Sequence, residues 1–134
     1  MAVMLGLHFF IPLSQLLHGS WRLLGLLPLA AGLACTAASA FLFKVMDTGV
    51  VPFSETTTIV TGGMFRYTRN PMYLGMVLVL IGVALLCGSI SPWLVIPVFI
   101  LIIHTVFILN EEKVLEEKFG EEYLRYKHSV RRWL

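Results

Sequence analysis

The chain has 134 residues, 57% of them hydrophobic and only 13% charged, with a formal net charge of +2. Soluble domains carry about 25% charged residues, so the composition excludes an ordinary soluble protein, and the length supports one domain. The two cysteines, Cys35 and Cys87, lie in separate apolar stretches without C-x-x-C spacing, so neither a disulfide framework nor a zinc site is suggested; packing is their expected role.

Four apolar stretches, residues 1–17, 23–43, 72–87 and 90–110, predict an all-α integral membrane protein with about four transmembrane helices in a single domain. A spanning helix takes roughly 17 to 25 residues, which the second and fourth stretches reach readily and the first and third barely. A spanning helix is expected in the first stretch, where His8, Pro12, Ser14 and Gln15 raise the insertion cost and leave a tilted or partly interfacial helix as the alternative. No basic residue stands at the start of this stretch, so a secretory signal is not expected. A lipid anchor on Cys35 is not expected either, because residues 32–34 lack the aliphatic side chain such a signal carries.

In the second stretch Gly25, Gly32, Thr36 and Ala40 form a strip of small residues along which a neighbouring backbone can approach; Gly75 and Gly82 do the same in the third. Loop 44–71 and tail 111–134 hold every acidic residue and nine of the ten Lys and Arg residues, with Arg22 the exception. The positive-inside rule therefore assigns loop, tail and both termini to the cytosol, at the inner membrane if the source is prokaryotic. Binding of anionic head groups would account for the cations but not for the acidic cluster.

The third stretch opens on Arg66-Tyr67-Thr68-Arg69-Asn70-Pro71-Met72-Tyr73-Leu74-Gly75. Pro71 suits the first turn of a helix and Asn70 suits the cap before it. The turn at 88–91 is too short for anything but an antiparallel hairpin, so the third and fourth helices are neighbours. Equal counts from its centre set Arg69 level with Asn110, Tyr73 with Val106 and Gly75 with His104. With helix axes about 8 to 10 Å apart, Arg69 and the Glu111-Glu112 pair can then line one cavity.

Beyond the fourth stretch, Val114, Leu115, Phe119, Tyr123 and Tyr126 recur at helical spacing and predict an amphipathic segment on the cytosolic surface, interrupted at Gly120. Glu121 and Glu122 favour the start of a second short helix. Glu111 and Glu112 sit at membrane depth, where a carboxylate is costly unless it serves a partner or cofactor.

The Arg69-Asn70-Pro71-Met72-Tyr73-Leu74-Gly75 segment, the hairpin after it, Glu111-Glu112, and Phe119-Gly120-Glu121-Glu122-Tyr123-Leu124-Arg125-Tyr126-Lys127 together resemble the isoprenylcysteine carboxyl methyltransferase and phospholipid methyltransferase superfamily. The resemblance covers roughly residues 48–134, with Val51-Pro52-Phe53 and residues 57–62 fitting its small prokaryotic members. The carboxyl methyltransferases usually carry His where this chain has Asn70, so Asn70-Pro71-Met72-Tyr73 is nearer the phospholipid branch.

The resemblance implies a membrane enzyme that moves a methyl group from S-adenosylmethionine to a membrane-associated or apolar acceptor, either the carboxylate of a prenylated thiol compound or the amine of a lipid. Carried over by position, Tyr67, Asn70, Pro71, Tyr73, Gly75, Glu111 and Glu112 would line the cofactor pocket, and the hairpin count adds His104. Arg69 and Glu112 are the candidates for catalysis: Arg69 suits a carboxylate acceptor, while Glu112 or His104 could take a proton from an amine. No metal and no nucleic acid are expected; the lipid bilayer and a lipid-like acceptor are the expected partners.

Two other readings compete. A small four-helix transporter normally needs an acidic residue inside its apolar helices, and none lies in these four. Haem would need paired histidines, and His8, His18 and His104 do not pair by level.

Overall fold

The structure, a computed structural model, describes residues 1–11, 13–46 and 59–134. Pro12, Val51, Pro52, Phe53 and Thr57, to which the sequence assigned roles, lie outside the described residues. Among the described residues the secondary structure is helical, with no strand: α1 (Ala2–Phe10), α2 (Leu26–Val45), α3 (Pro71–Cys87), α4 (Val95–Ile102), α5 (Leu109–Phe119) and α6 (Glu121–Ser129). A 3-10 run, Gly19–Gly25, leads into α2, and another, Ser91–Leu94, leads into α4. A π-helical stretch, Ile103–Ile108, joins α4 to α5.

Two continuous helical runs are long and apolar enough to cross a membrane, Gly19–Val45 and Ser91–Phe119, and Pro71–Cys87 is apolar but shorter. The first stretch departs from expectation. Its helix is α1 alone, nine residues, or about 14 Å at 1.5 Å per residue against a hydrocarbon core of roughly 30 Å. Pro12 follows directly, and a residue before proline is pushed out of the helical region; Ile11 sits at φ −135°, ψ 64°.

The chain divides into two compact units. One comprises Met1–Ala34 and Gly75–Leu101. Here the residues after α1 run along the 88–91 turn: Ile90 N–H donates to the Ser14 carbonyl, and the Leu16 and Leu17 N–H groups donate to the Gly88 carbonyl. His8 Nδ1 meets Ser89 Oγ at 2.7 Å, and Leu13 N–H donates to Ser91 Oγ at 3.0 Å. Polar groups that looked expensive in a spanning helix thus satisfy one another, as backbone deprived of water requires.

The small-residue strips pack as their spacing predicts. A Cβ added at Gly32 would lie 2.5 Å from the Gly75 carbonyl oxygen, and one at Gly82 would lie 2.7 Å from that of Gly25. The backbones of the Gly19–Val45 run and of α3 touch at these points, and only glycine leaves room.

The other unit comprises Cys35–Leu74 and Ile102–Leu134. Gly120, at φ 52°, ends α5 and lets α6 start at once, so the expected interruption falls where glycine tolerates a left-handed backbone. Tyr126 in α6 donates its hydroxyl to the Phe65 carbonyl at 2.7 Å, and Phe65 meets Phe43 edge to face at 5.2 Å. Val114 is exposed, whereas Tyr123, expected on the same lipid-facing stripe, is buried against the protein.

Candidate functional site

The second unit brings the segment before α3 together with the start of α5. Pro71 begins α3, where its missing N–H leaves nothing unpaired, and the Asn70 carbonyl accepts the Leu74 N–H as the first helical bond. Asn70 spends its side chain elsewhere than on a cap: Nδ2 donates to the Arg132 carbonyl at 3.0 Å.

Arg69 precedes that helix and Glu112 lies one turn into α5. They form an ion pair, Nη1 to Oε1, at 3.0 Å, with side chains 9% and 8% exposed. The hairpin count thus finds the right neighbourhood with an error of a residue or two. The π-helical stretch is one source of that error, since it fits an extra residue into its turn and rotates everything after it by about 100°.

Glu112 is the hub. Arg132 grips it with two bonds, Nε to Oε1 at 2.7 Å and Nη2 to Oε2 at 2.8 Å, and Lys127 Nζ stands 3.9 Å from Oε2. Lys127 also bonds Glu116. Arg69 Nη1 reaches the Tyr123 hydroxyl at 3.4 Å, and Tyr123 is 2% exposed. Burial raises the Tyr123 and Tyr126 phenols above their ordinary pKa, so both keep their protons at neutral pH.

Glu111 is held differently. Its Oε1 accepts the Tyr73 hydroxyl proton at 2.7 Å, and among the described residues no cation pairs with it. The Tyr73 ring lies 6.5 Å from that of Phe107. The two adjacent carboxylates therefore differ in their surroundings: Glu112 faces Arg69, Arg132 and Lys127, while Glu111 meets the Tyr73 hydroxyl. One further atom stands out, because Arg69 Nε is buried without a hydrogen-bond partner among the described residues. Buried donors are rarely left so unless another group is meant to meet them.

Arg69, Asn70, Pro71, Tyr73, Glu111 and Glu112 are thus assembled in one unit. Tyr67 is in the same unit but 74% exposed, apart from this network. His104 sits in the π-helical stretch and takes no part in the network. Gly75 belongs to the first unit, where its carbonyl packs on Gly32.

Three residues escaped the sequence reading as parts of the cluster. Arg132 looked like one topology cation among nine, Thr68 like a loop residue, and Tyr123 like a membrane-facing aromatic. Thr68 Oγ1 donates to the Arg132 carbonyl at 3.1 Å, and Arg69 N–H donates to the Arg131 carbonyl at 2.9 Å. No spacing rule reaches from position 68 to position 132. Among the described residues no group of His, Cys, Asp and Glu could hold a metal ion.

Comparison with known proteins gives a family. The family model described as phospholipid methyltransferase matches residues 21–122. An uncharacterised protein of Haemophilus influenzae is 49% identical over 63 residues, which are 47% of this chain and the whole of that relative. No solved structure matches.

Proposed function

The chain belongs to the phospholipid methyltransferase family, and on that premise we propose that it transfers a methyl group from S-adenosylmethionine to a lipid-like or apolar acceptor at the cytosolic face of a membrane. The protein is a membrane protein, and we place both termini and the Arg69 cluster on the cytosolic side, with about four helices in or at the bilayer. The charge distribution supports that orientation, since nine of ten basic residues fall in loop 44–71 and tail 111–134.

The observation that carries the reading is the unequal pair of carboxylates. S-adenosylmethionine presents an ammonium, a carboxylate and a sulfonium, and its binding needs an acceptor, a donor and an aromatic face. Among the described residues Glu111 is an acceptor without a compensating cation and the buried Arg69 Nε is a donor without a partner, and Tyr73 supplies the ring. The residues fit such a zwitterion. When bound, the cofactor supplies an electrophilic methyl group.

The chain's own part is to position the reactants. Glu111, oriented by the Tyr73 hydroxyl, would hold the ammonium. Arg69, held by Glu112 and Tyr123, would meet the carboxylate. The Tyr73 ring would favour the sulfonium by cation-π attraction. Glu112 is occupied by three cations, which makes it a poor proton acceptor and shifts its role from catalysis to holding Arg69. Methyl transfer is an in-line displacement, so alignment accounts for most of what the protein must contribute.

Radiolabelled S-adenosylmethionine given to membranes containing the overproduced protein tests the reading. Label should enter the organic-soluble fraction above the level of membranes without the protein. Label confined to the aqueous phase in both would contradict it. A transporter reading finds no support in the cluster, where Glu112 is paired with Arg69, Arg132 and Lys127.

A further inference from the structure

Arg132 lies beyond α6, outside any helix. Its guanidinium takes both oxygens of Glu112, at 2.7 and 2.8 Å, the parallel two-bond arrangement that a carboxylate accepts best. Its carbonyl accepts from Thr68 and Asn70, and that of Arg131 accepts from the Arg69 backbone. The segment after α6 is thereby fastened to Arg69 and the residues on either side of it.

Arg69 reaches the same carboxylate by Nη1 alone, at 3.0 Å. Its Nε is buried without a partner among the described residues. A buried guanidinium next to a carboxylate with both oxygens open would turn to make two bonds. Here that seat is taken.

We infer that Arg132 is a positioning residue for Arg69: by occupying the two-bond seat on Glu112, it restricts Arg69 to one bond and keeps Arg69 Nε open to an anionic group of a ligand. The inference rests on the proposed S-adenosylmethionine site for the identity of that group, the cofactor carboxylate. The unpaired Nε and the occupied seat stand without it.

Arg132→Lys is the informative change, because lysine keeps the charge and the backbone carbonyl but offers a point contact in place of a fork. The full chain, purified in detergent, is titrated with S-adenosylhomocysteine and with 5′-methylthioadenosine, which lacks the carboxylate and the ammonium. R132K should bind S-adenosylhomocysteine about tenfold more weakly, the loss of one hydrogen bond to a charged group, and 5′-methylthioadenosine as the unsubstituted chain does. A purely structural loss would weaken both ligands together.

A ligand-free measurement separates this inference from the cofactor reading. The Arg69 Nε–H signal, assigned by its absence in R69K, should shift in R132K and exchange more slowly with water as Arg69 takes up the vacated seat. That shift in a chain that binds neither nucleoside would uphold the positioning role and overturn the cofactor reading. An unmoved Arg69 signal in R132K overturns the positioning role, whether or not the nucleosides bind.

Discussion

Arg69 and Glu112, 43 positions apart in the chain, meet as an ion pair at 3.0 Å with both side chains more than nine-tenths buried. Next to this pair, Glu111 accepts the Tyr73 hydroxyl proton at 2.7 Å. Two neighbouring carboxylates on one helix therefore have different surroundings, and in the proposed function they take separate roles: one holds the cluster together, and the other meets the cofactor.

Removing the charge at position 112 leaves Arg69 buried without its counter-ion. Breaking a buried pair from one side costs about 3 to 5 kcal/mol, whereas losing a single neutral-to-charged hydrogen bond costs about 1.5 to 3. Glu112→Gln should therefore lower the thermal midpoint of the purified protein clearly more than Glu111→Gln does. Equal midpoints for the two variants would refute the division of roles.

Tyr73→Phe keeps the ring and removes the hydroxyl that orients Glu111. Affinity for S-adenosylhomocysteine should fall about tenfold, the equivalent of roughly 1.4 kcal/mol. An unchanged dissociation constant in calorimetry would show that the Tyr73 hydroxyl does not serve the site.

Gly32→Ala and Gly82→Ala both force a methyl group into backbone at under 3 Å. Overpacking of this kind costs about 1 to 3 kcal/mol, so each variant should melt earlier in detergent. Gly62→Ala is the control, since nothing lies within 4 Å of its added carbon. A control as damaging as the other two would contradict the close helix contact.

The proposed topology puts Tyr67 and Lys113 on one side of the membrane. Tyr67 is 74% exposed and the Lys113 side chain 75%, so single cysteines at either site can be labelled without disturbing the cluster. In sealed vesicles of known orientation, an impermeant maleimide should reach both from the cytosolic side. Labelling from opposite sides would rule out the orientation.

Much of this architecture was legible in the chain. Gly25, Gly32 and Gly82 announced close helix contact by spacing, and the short turn at 88–91 fixed the neighbours that bring Arg69 toward Glu112. The count went astray where a regular helix was assumed, because Ile103–Ile108 is π-helical and changes the facing of everything after it.

What stayed hidden depended on contacts without periodicity. His8, Ser14 and Gln15 were weighed as costs of insertion; the turn at 88–91 was not visible as the hydrogen-bonding partner of His8 and Ser14, nor Arg22 as that of Gln15. Arg132 belongs to a segment with no regular structure, and nothing in its neighbours marks it as the second arginine on Glu112.

Calorimetric titration with S-adenosylhomocysteine, comparing the unsubstituted chain with Glu111→Gln, tests the cofactor site most directly. The account predicts saturable binding to the unsubstituted chain and at least tenfold weaker binding to the variant, with a smaller loss of thermal midpoint than Glu112→Gln shows. No binding to the unsubstituted chain, or equal binding to both, would contradict it.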